Sequence, residues 1–290
     1  MKSDLRLGFL VAAIMICFAA NSVITRYLVL SARVSPFLVT TIRFVSGLAM
    51  LMVISWTRPK VFHRGSLGAS YLFGGLFLGG YAFSISYGYL FIPVAAGTFV
   101  FYTFVVVTMV AYSIISGEEK LTFRLCLGQL LGLLGVFVIT FGGISSVTLL
   151  GVLLMAATGI SWGLYSAYGR KFDVAFSYTY NCFLILGAVS AFTAVPLAFS
   201  GQLTFANISL QDLGLALYMG MVSTALSYVL WSRTLRKISA SMGGLVQLAV
   251  PVLAPVMGVI LLREQVTASL LLGGGLVLLG IYLVGHGRRS

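Results

Sequence analysis

Few side chains in this 290-residue sequence could perform chemistry, and their positions separate the kinds of site that it could hold. There are six carboxylates, two histidines and three cysteines. The carboxylates are Asp4, Glu118, Glu119, Asp173, Asp212 and Glu264. These acids and both histidines fall at the ends of apolar segments or between them, and the cysteines show no metal-ligand spacing. Since a catalytic or metal centre needs such groups together, the sequence predicts no catalytic residue, no metal site and no cofactor.

Arg43 is the exception, because it falls inside an apolar segment. It follows Pro36 by seven positions, which is roughly 10 Å along a helix that rises 1.5 Å per residue. An ionisable residue inside a membrane is by default a candidate for function. One interpretation is that its guanidinium binds a substrate carboxylate. The other is that it binds backbone carbonyls or extends outward to the membrane surface.

Uncharged polar and aromatic residues recur near the middle of the apolar segments. A hydroxyl or amide at that depth needs either a hydrogen-bond partner or a wet cavity. Each such residue therefore either lines a binding cavity or bonds to a neighbouring helix. The residues predicted with Arg43 to bind substrate are Asn21, Tyr81, Ser84, Tyr102, Trp162, Tyr165, Ser227 and Gln247.

The elements that must position these side chains are membrane helices. Hydrophobic residues make up 60% of the chain and charged residues 8%, with a mean hydropathy of +1.07. Soluble domains have about 25% charged residues, so a soluble fold is excluded.

About 20 apolar residues cross a bilayer as a helix. Ten such runs cover approximately 7–29, 37–56, 67–90, 93–116, 124–142, 148–169, 177–199, 210–232, 238–262 and 266–286. The first run is too long for a typical signal-peptide core. The predicted fold is all-α and integral to the membrane, with ten transmembrane helices.

The basic residues indicate topology rather than nucleic-acid binding. The net charge is +12, yet the Lys and Arg residues lie in short clusters between apolar runs and form no basic face. With the N-terminus inside, 14 of the 18 fall in inside segments and three in outside segments. Cytoplasmic loops carry such an excess. The sequence therefore predicts a multi-pass protein of the cell membrane with both termini cytoplasmic.

The two halves of the chain repeat at an offset of 145 residues. Glu119 matches Glu264, and Gly128 matches Gly273. The predicted domains are therefore two five-helix repeats, residues 1–145 and 146–290, within one membrane domain. Because five is odd, the second repeat is inverted relative to the first. Inverted repeats place a binding cavity near the bilayer midplane, which two related conformations open to either side.

The sequence resembles the drug/metabolite transporter superfamily, in its EamA-type ten-helix branch. The second half carries this resemblance in STALSYVLWSRTLRKISASMGGLVQLAVPVLAPVMGVILLREQVTASLLLGGGLVLLGIYLV. The first half carries it in NSVITRYL, SPFLVTTIRF and IPVAAGTFVFYTFVVVTMVAYSIISGEEKLTFRLCLGQLLGLLGVFVI. The sequence departs from the family at Phe18, where the family has Trp, and at Val106, which stands opposite Pro251 of the second half.

The resemblance implies a secondary transporter of small organic metabolites, and it favours export. The absence of a mid-membrane acid argues against cationic cargo and favours amino acids or related neutral or zwitterionic compounds. The alternatives are an uptake carrier for another metabolite or organic anion, a membrane scaffold without transport activity, and an intramembrane enzyme. The expected partners are the small-molecule substrate and the lipid bilayer, without nucleic acid.

Overall fold

The computed structural model describes residues 2–58, 69–92, 94–140, 148–199, 208–253 and 268–286. Within these ranges the chain is helical and contains no strand. In chain order the helices are α1 (Lys2–Arg26), α2 (Pro36–Thr57), α3 (Ala69–Gly88), α4 (Val94–Ile115), α5 (Phe123–Thr140), α6 (Leu149–Tyr168), α7 (Ala175–Phe199), α8 (Leu210–Leu235), α9 (Ala240–Leu253) and α10 (Ala268–His286).

Six of the described helices are long and apolar enough to cross a membrane, namely α1, α2, α4, α6, α7 and α8. The apolar parts of α5, α9 and α10 are shorter. Helix α3 has 20 residues, but its glycines, serines and tyrosines lower its hydropathy. The predicted all-helical membrane architecture is confirmed at this level. The count of ten spans and the orientation of the termini stay predictions.

Hydroxyl side chains define where several helices begin. Ser35 precedes Pro36 and accepts a hydrogen bond from the backbone N–H of Leu38 at 3.2 Å. Thr148 caps α6 in the same way, and Ser239 caps α9. At α8, Ser209 and Asp212 each accept a bond from the other's backbone N–H. Such caps satisfy donors that the first helical turn leaves free.

The helix α8 is not uniform along its length. Its middle segment, Met219–Leu226, is π-helical, with regular α-helix before and after it. A π-helical turn holds more residues than an α-helical turn. The side chains that follow this segment are consequently rotated relative to the faces that a regular helix would present.

Packing brings the polar helix centres together. Helices α3 and α4 pack against α6, and α2 packs against α7 and the π-helical segment of α8. Helix α1 also packs against α8, while α5 pairs with α10 at the side. Of the two hydrophobic clusters among the described residues, the larger has Phe18, Tyr81, Trp162 and Tyr228 among its buried members, and the smaller lies where the end of α1 and the start of α2 meet α8.

Candidate functional site

Arg43 lies at the centre of a hydrogen-bonded network between α2, α3 and α8. Its side chain is almost fully buried, with 1% of its surface exposed. The guanidinium Nε donates to Thr224 Oγ1 at 2.9 Å. Its Nη2 donates to the hydroxyls of Tyr81 at 3.0 Å and Tyr228 at 2.7 Å. These three partners are neutral side chains, so this part of the core keeps a positive charge.

Aromatic rings surround the two tyrosine hydroxyls. The Trp162 ring centroid lies 4.6 Å from that of Tyr228, 4.9 Å from that of Tyr81 and 5.4 Å from that of Phe18. These four residues line a small cavity of about 10 Å³, together with Asn21, Ser22, Phe101 and Tyr102. That volume is close to the minimum for one water molecule. The rings must therefore separate before the cavity can hold a metabolite.

Gln247 holds the indole of Trp162. The indole Nε1 donates to Gln247 Oε1 at 2.5 Å, and the Gln247 amide donates to Gly243 O at 3.2 Å and approaches Met109 Sδ at 3.3 Å. Both side chains are buried. Because Gln247 is on α9 and Trp162 is on α6, this contact fixes the orientation of the ring that forms one wall of the cavity.

Asn21 links α1 to the π-helical segment of α8. Its Nδ2 donates to the backbone carbonyl of Ser223 at 2.8 Å, and its Oδ1 accepts from Thr224 Oγ1 at 3.2 Å. Thr224 therefore connects Asn21 to Arg43. A π-helical segment frees backbone groups from regular pairing, and here one of the carbonyls in that segment accepts from a side chain.

The structure places the other predicted residues at different distances from this cavity. Tyr102 lines it, and the ring of Tyr165 stacks on Trp162 with centroids 5.4 Å apart. Ser84 lies in a separate apolar groove of about 710 Å³ between α3 and α7. Ser227 donates to carbonyls of its own helix, those of Ser223 and Thr224, and is not among the residues that line the cavity.

Five residues of the cavity lining and the Arg43 network are absent from the sequence-based set: Phe18, Ser22, Phe101, Thr224 and Tyr228. At an offset of 144 residues, Phe18 in the first repeat matches Trp162, and this correspondence was the available signal for Phe18. Tyr228 follows Ser227 directly in the chain, so the two side chains differ only in the direction in which they leave the helix. The π-helical segment directly before them changes that direction, and hydrophobic periodicity does not reveal it.

The cluster offers no set of strong metal ligands. Across the described part of the chain, no group of three or more His, Cys, Asp or Glu side chains could hold a metal ion. The polar groups around the cavity are hydroxyls, amides and one guanidinium. This arrangement suits reversible binding of an organic molecule by hydrogen bonds and ring contacts.

Comparison with known proteins gives matches along the whole chain. The EamA-like transporter family matches residues 6–141 and 149–285. An uncharacterized protein of Pseudomonas aeruginosa is 32% identical, with 99% of each chain covered. The uncharacterized transporter YoaV of Bacillus subtilis is 27% identical, over 86% of this chain and 87% of the relative. One solved crystal structure superposes with a TM-score of 0.76 at 21% identity, covering 96% of this chain and 98% of the other, and this supports the fold alone.

Proposed function

Because the chain belongs to the EamA-like transporter family, a branch of the drug/metabolite transporter superfamily, we propose that it is a secondary transporter that exports small organic metabolites. The observation that carries this proposal is the buried aromatic and hydroxyl cluster. Both halves of the chain contribute to it, with Arg43 and Tyr81 from the first and Trp162 and Tyr228 from the second. Amino acids or related neutral or zwitterionic compounds suit this lining best, and uptake of an organic anion is the alternative.

Alternating access by two inverted halves would expose the cluster to each side in turn. The packing of α5 on α10 supports this proposal. A Cβ placed on Gly128 would meet the carbonyl of Gly280 at 3.0 Å, and one on Gly135 would meet the carbonyl of Gly273. At the offset of 145, Gly128 matches Gly273 and Gly135 matches Gly280, so the repeat maps the first contact onto the second. Such an exchange is expected when an antiparallel helix pair surrounds a two-fold axis that relates the halves.

The protein is a multi-pass membrane protein, and we place it in the cell membrane with both termini in the cytoplasm. The charge asymmetry of the loops supports this orientation. Reporter fusions at each terminus test it, since an enzyme that is active only in the cytoplasm should be active at both. Activity of a periplasmic reporter at either end would contradict the orientation.

Transport itself is tested with the purified protein in proteoliposomes. A panel of amino acids, organic acids and nucleosides is first screened for thermal stabilisation, and the flux of each hit is then measured. We expect Trp162→Ala to reduce flux at least tenfold, because it removes the central ring of the cluster. Trp56→Ala is the matched control, since Trp56 is 85% exposed. Flux equal to that of protein-free liposomes for every compound would refute the transporter proposal.

A further inference from the structure

We infer that the transported compound carries a single carboxylate, which binds Arg43 and compensates its charge. This inference rests on the proposed function and chooses among the substrate classes that it leaves open. It draws on the partners of Arg43, the position of these partners at the cavity, and the number of positive charges there.

Among the described residues, the partners of Arg43 include no acid. Arginine keeps its proton in proteins, so the side chain is a cation in the core of a membrane protein. Its partners Thr224, Tyr81 and Tyr228 contribute dipoles and no negative charge. The rings of Phe44 and Tyr81 lie about 5.4 and 5.3 Å from the guanidinium carbon. Buried cations are normally paired with an anion, and a bound substrate can supply one.

The cavity and the guanidinium share two side chains. Tyr81 and Tyr228 accept hydrogen bonds from Arg43 and also line the cavity. The Tyr228 hydroxyl donates to the Tyr81 hydroxyl at 3.1 Å. A carboxylate that enters between the rings can displace this contact and accept from both tyrosine hydroxyls as well as from the guanidinium. Three donors would then converge on one anion, which is the arrangement of a charge-assisted site.

The number of charges selects a carboxylate over a phosphate. A phosphate monoester carries about −1.5 to −2 charges at neutral pH and is commonly bound by several basic groups. Arg43 is the sole basic residue of the cluster formed by Phe18, Arg43, Tyr81, Trp162 and Tyr228. One carboxylate balances that single charge. The surrounding rings offer the rest of the molecule an apolar surface, or a cation–π surface for an amine.

The test compares acids with their own amides on the purified full-length protein. The probes are leucine, phenylalanine, N-acetyl-leucine and the corresponding carboxamides, with nucleosides as neutral compounds. We expect at least one acid to stabilise the protein and to be transported, and its amide to bind about tenfold more weakly or worse. A tenfold loss corresponds to the removal of about one charge-assisted hydrogen bond.

Two variants test whether Arg43 causes the preference for the acid over its amide. In Arg43→Gln the acid and its amide should bind alike, whereas Arg58→Gln, on the exposed end of the same helix, should keep the difference. Tyr228→Phe removes one donor and retains the ring, and it should weaken acid binding about threefold to tenfold. This second variant keeps the test decisive if Arg43→Gln does not fold, because Arg43 then remains in place.

The outcomes separate the two proposals. If acids and amides bind and move equally, or if only nucleosides are transported, the protein is a transporter and the carboxylate inference is wrong. Arg43 is then a structural link between α2, α3 and α8. If no compound of the transport panel moves, the proposed function fails and this inference fails with it.

Discussion

Trp162 shows how a single hydrogen bond can stabilise the geometry of the candidate site. Its indole N–H is buried and has Gln247 Oε1 as its acceptor. A buried donor without an acceptor costs about 1–3 kcal/mol. The ring would retain its aromatic neighbours without this bond, but its orientation would be less tightly fixed.

We therefore predict that Gln247→Leu lowers the free energy of unfolding by about 1–3 kcal/mol, because the Trp162 N–H loses its acceptor. Thermal denaturation in detergent measures the effect. In a double-mutant cycle with Trp162→Phe, which has no N–H, the two costs should be less than additive. Gln129→Leu is the matched control and should cost less, since Gln129 makes one side-chain bond, to the carbonyl of Ser241. Additive costs in the cycle would show that the bond contributes little.

Arg170 makes several contacts near the end of α6. It pairs with Glu118, and it donates to the carbonyls of Leu235 at 2.9 Å and Ile238 at 3.0 Å. Both charged side chains are partly exposed, and solvent weakens such an ion pair to about 0–1 kcal/mol. The two carbonyls, one at the last residue of α8 and one in the connection to α9, therefore account for most of the contribution of Arg170.

We expect Glu118→Gln to change the unfolding free energy by less than about 1 kcal/mol. Arg170→Gln should cost about 1–3 kcal/mol, since two backbone acceptors lose their donor. Both values follow from thermal or denaturant unfolding, with Lys120→Gln as a control at an exposed position. If the two substitutions cost the same amount, the ion pair and not the carbonyl contacts holds this region.

At the scale of elements, glycines set the distance between α4 and α6. A Cβ on Gly159 would meet the carbonyl of Phe101 and the Cβ of Phe104, and one on Gly163 would lie 2.8 Å from Thr108 Cβ. These two helices therefore approach almost to backbone contact, as small residues allow in membranes. At the offset of 144 that aligns Phe18 with Trp162, the matching positions of α1 are Met15 and Ala19, so the two halves are not equivalent at this contact.

We predict that Gly159→Ala destabilises the protein by about 1–3 kcal/mol, because the added methyl group has no space beside the α4 backbone. The midpoint of thermal denaturation should fall. Gly275→Ala on α10 is the matched control, since no heavy atom lies within 4 Å of a Cβ built there. Equal denaturation midpoints for the two variants would contradict the close approach of α4 and α6.

At the scale of the whole molecule, the acids lie away from the buried cluster. In the described part of the chain, Asp212 is in the first turn of α8, and Glu118, Glu119 and Asp173 lie in connections between helices. Proton-coupled carriers typically use an acid within the membrane as the proton carrier. Transport by this protein should therefore not depend on such a residue.

Accordingly, we predict that flux of an identified substrate in proteoliposomes changes less than about twofold when the pH gradient is removed, because the described part of the chain places no carboxylate at the buried cluster to couple it. Substrate efflux is measured with and without a proton ionophore at equal substrate gradients. Collapse of the flux after addition of the ionophore would overturn the prediction and would indicate another proton-binding group.

The sequence by itself determined the membrane class, the helical architecture and the family resemblance. These properties follow from long apolar runs, loop charges and local motifs, each of which is readable within a short window of residues. It also identified Arg43, because a charge within an apolar run is conspicuous.

Only the tertiary structure decided which polar residues meet. Tyr228 reaches Arg43 while its neighbour Ser227 bonds to its own helix, because the π-helical segment rotates the end of α8. Tyr81 and Ser84, three positions apart on α3, meet different neighbours, because Tyr81 packs on Trp162 of α6 while Ser84 lines the groove beside α7. Such choices depend on contacts between residues as far as 203 positions apart, which no local pattern encodes.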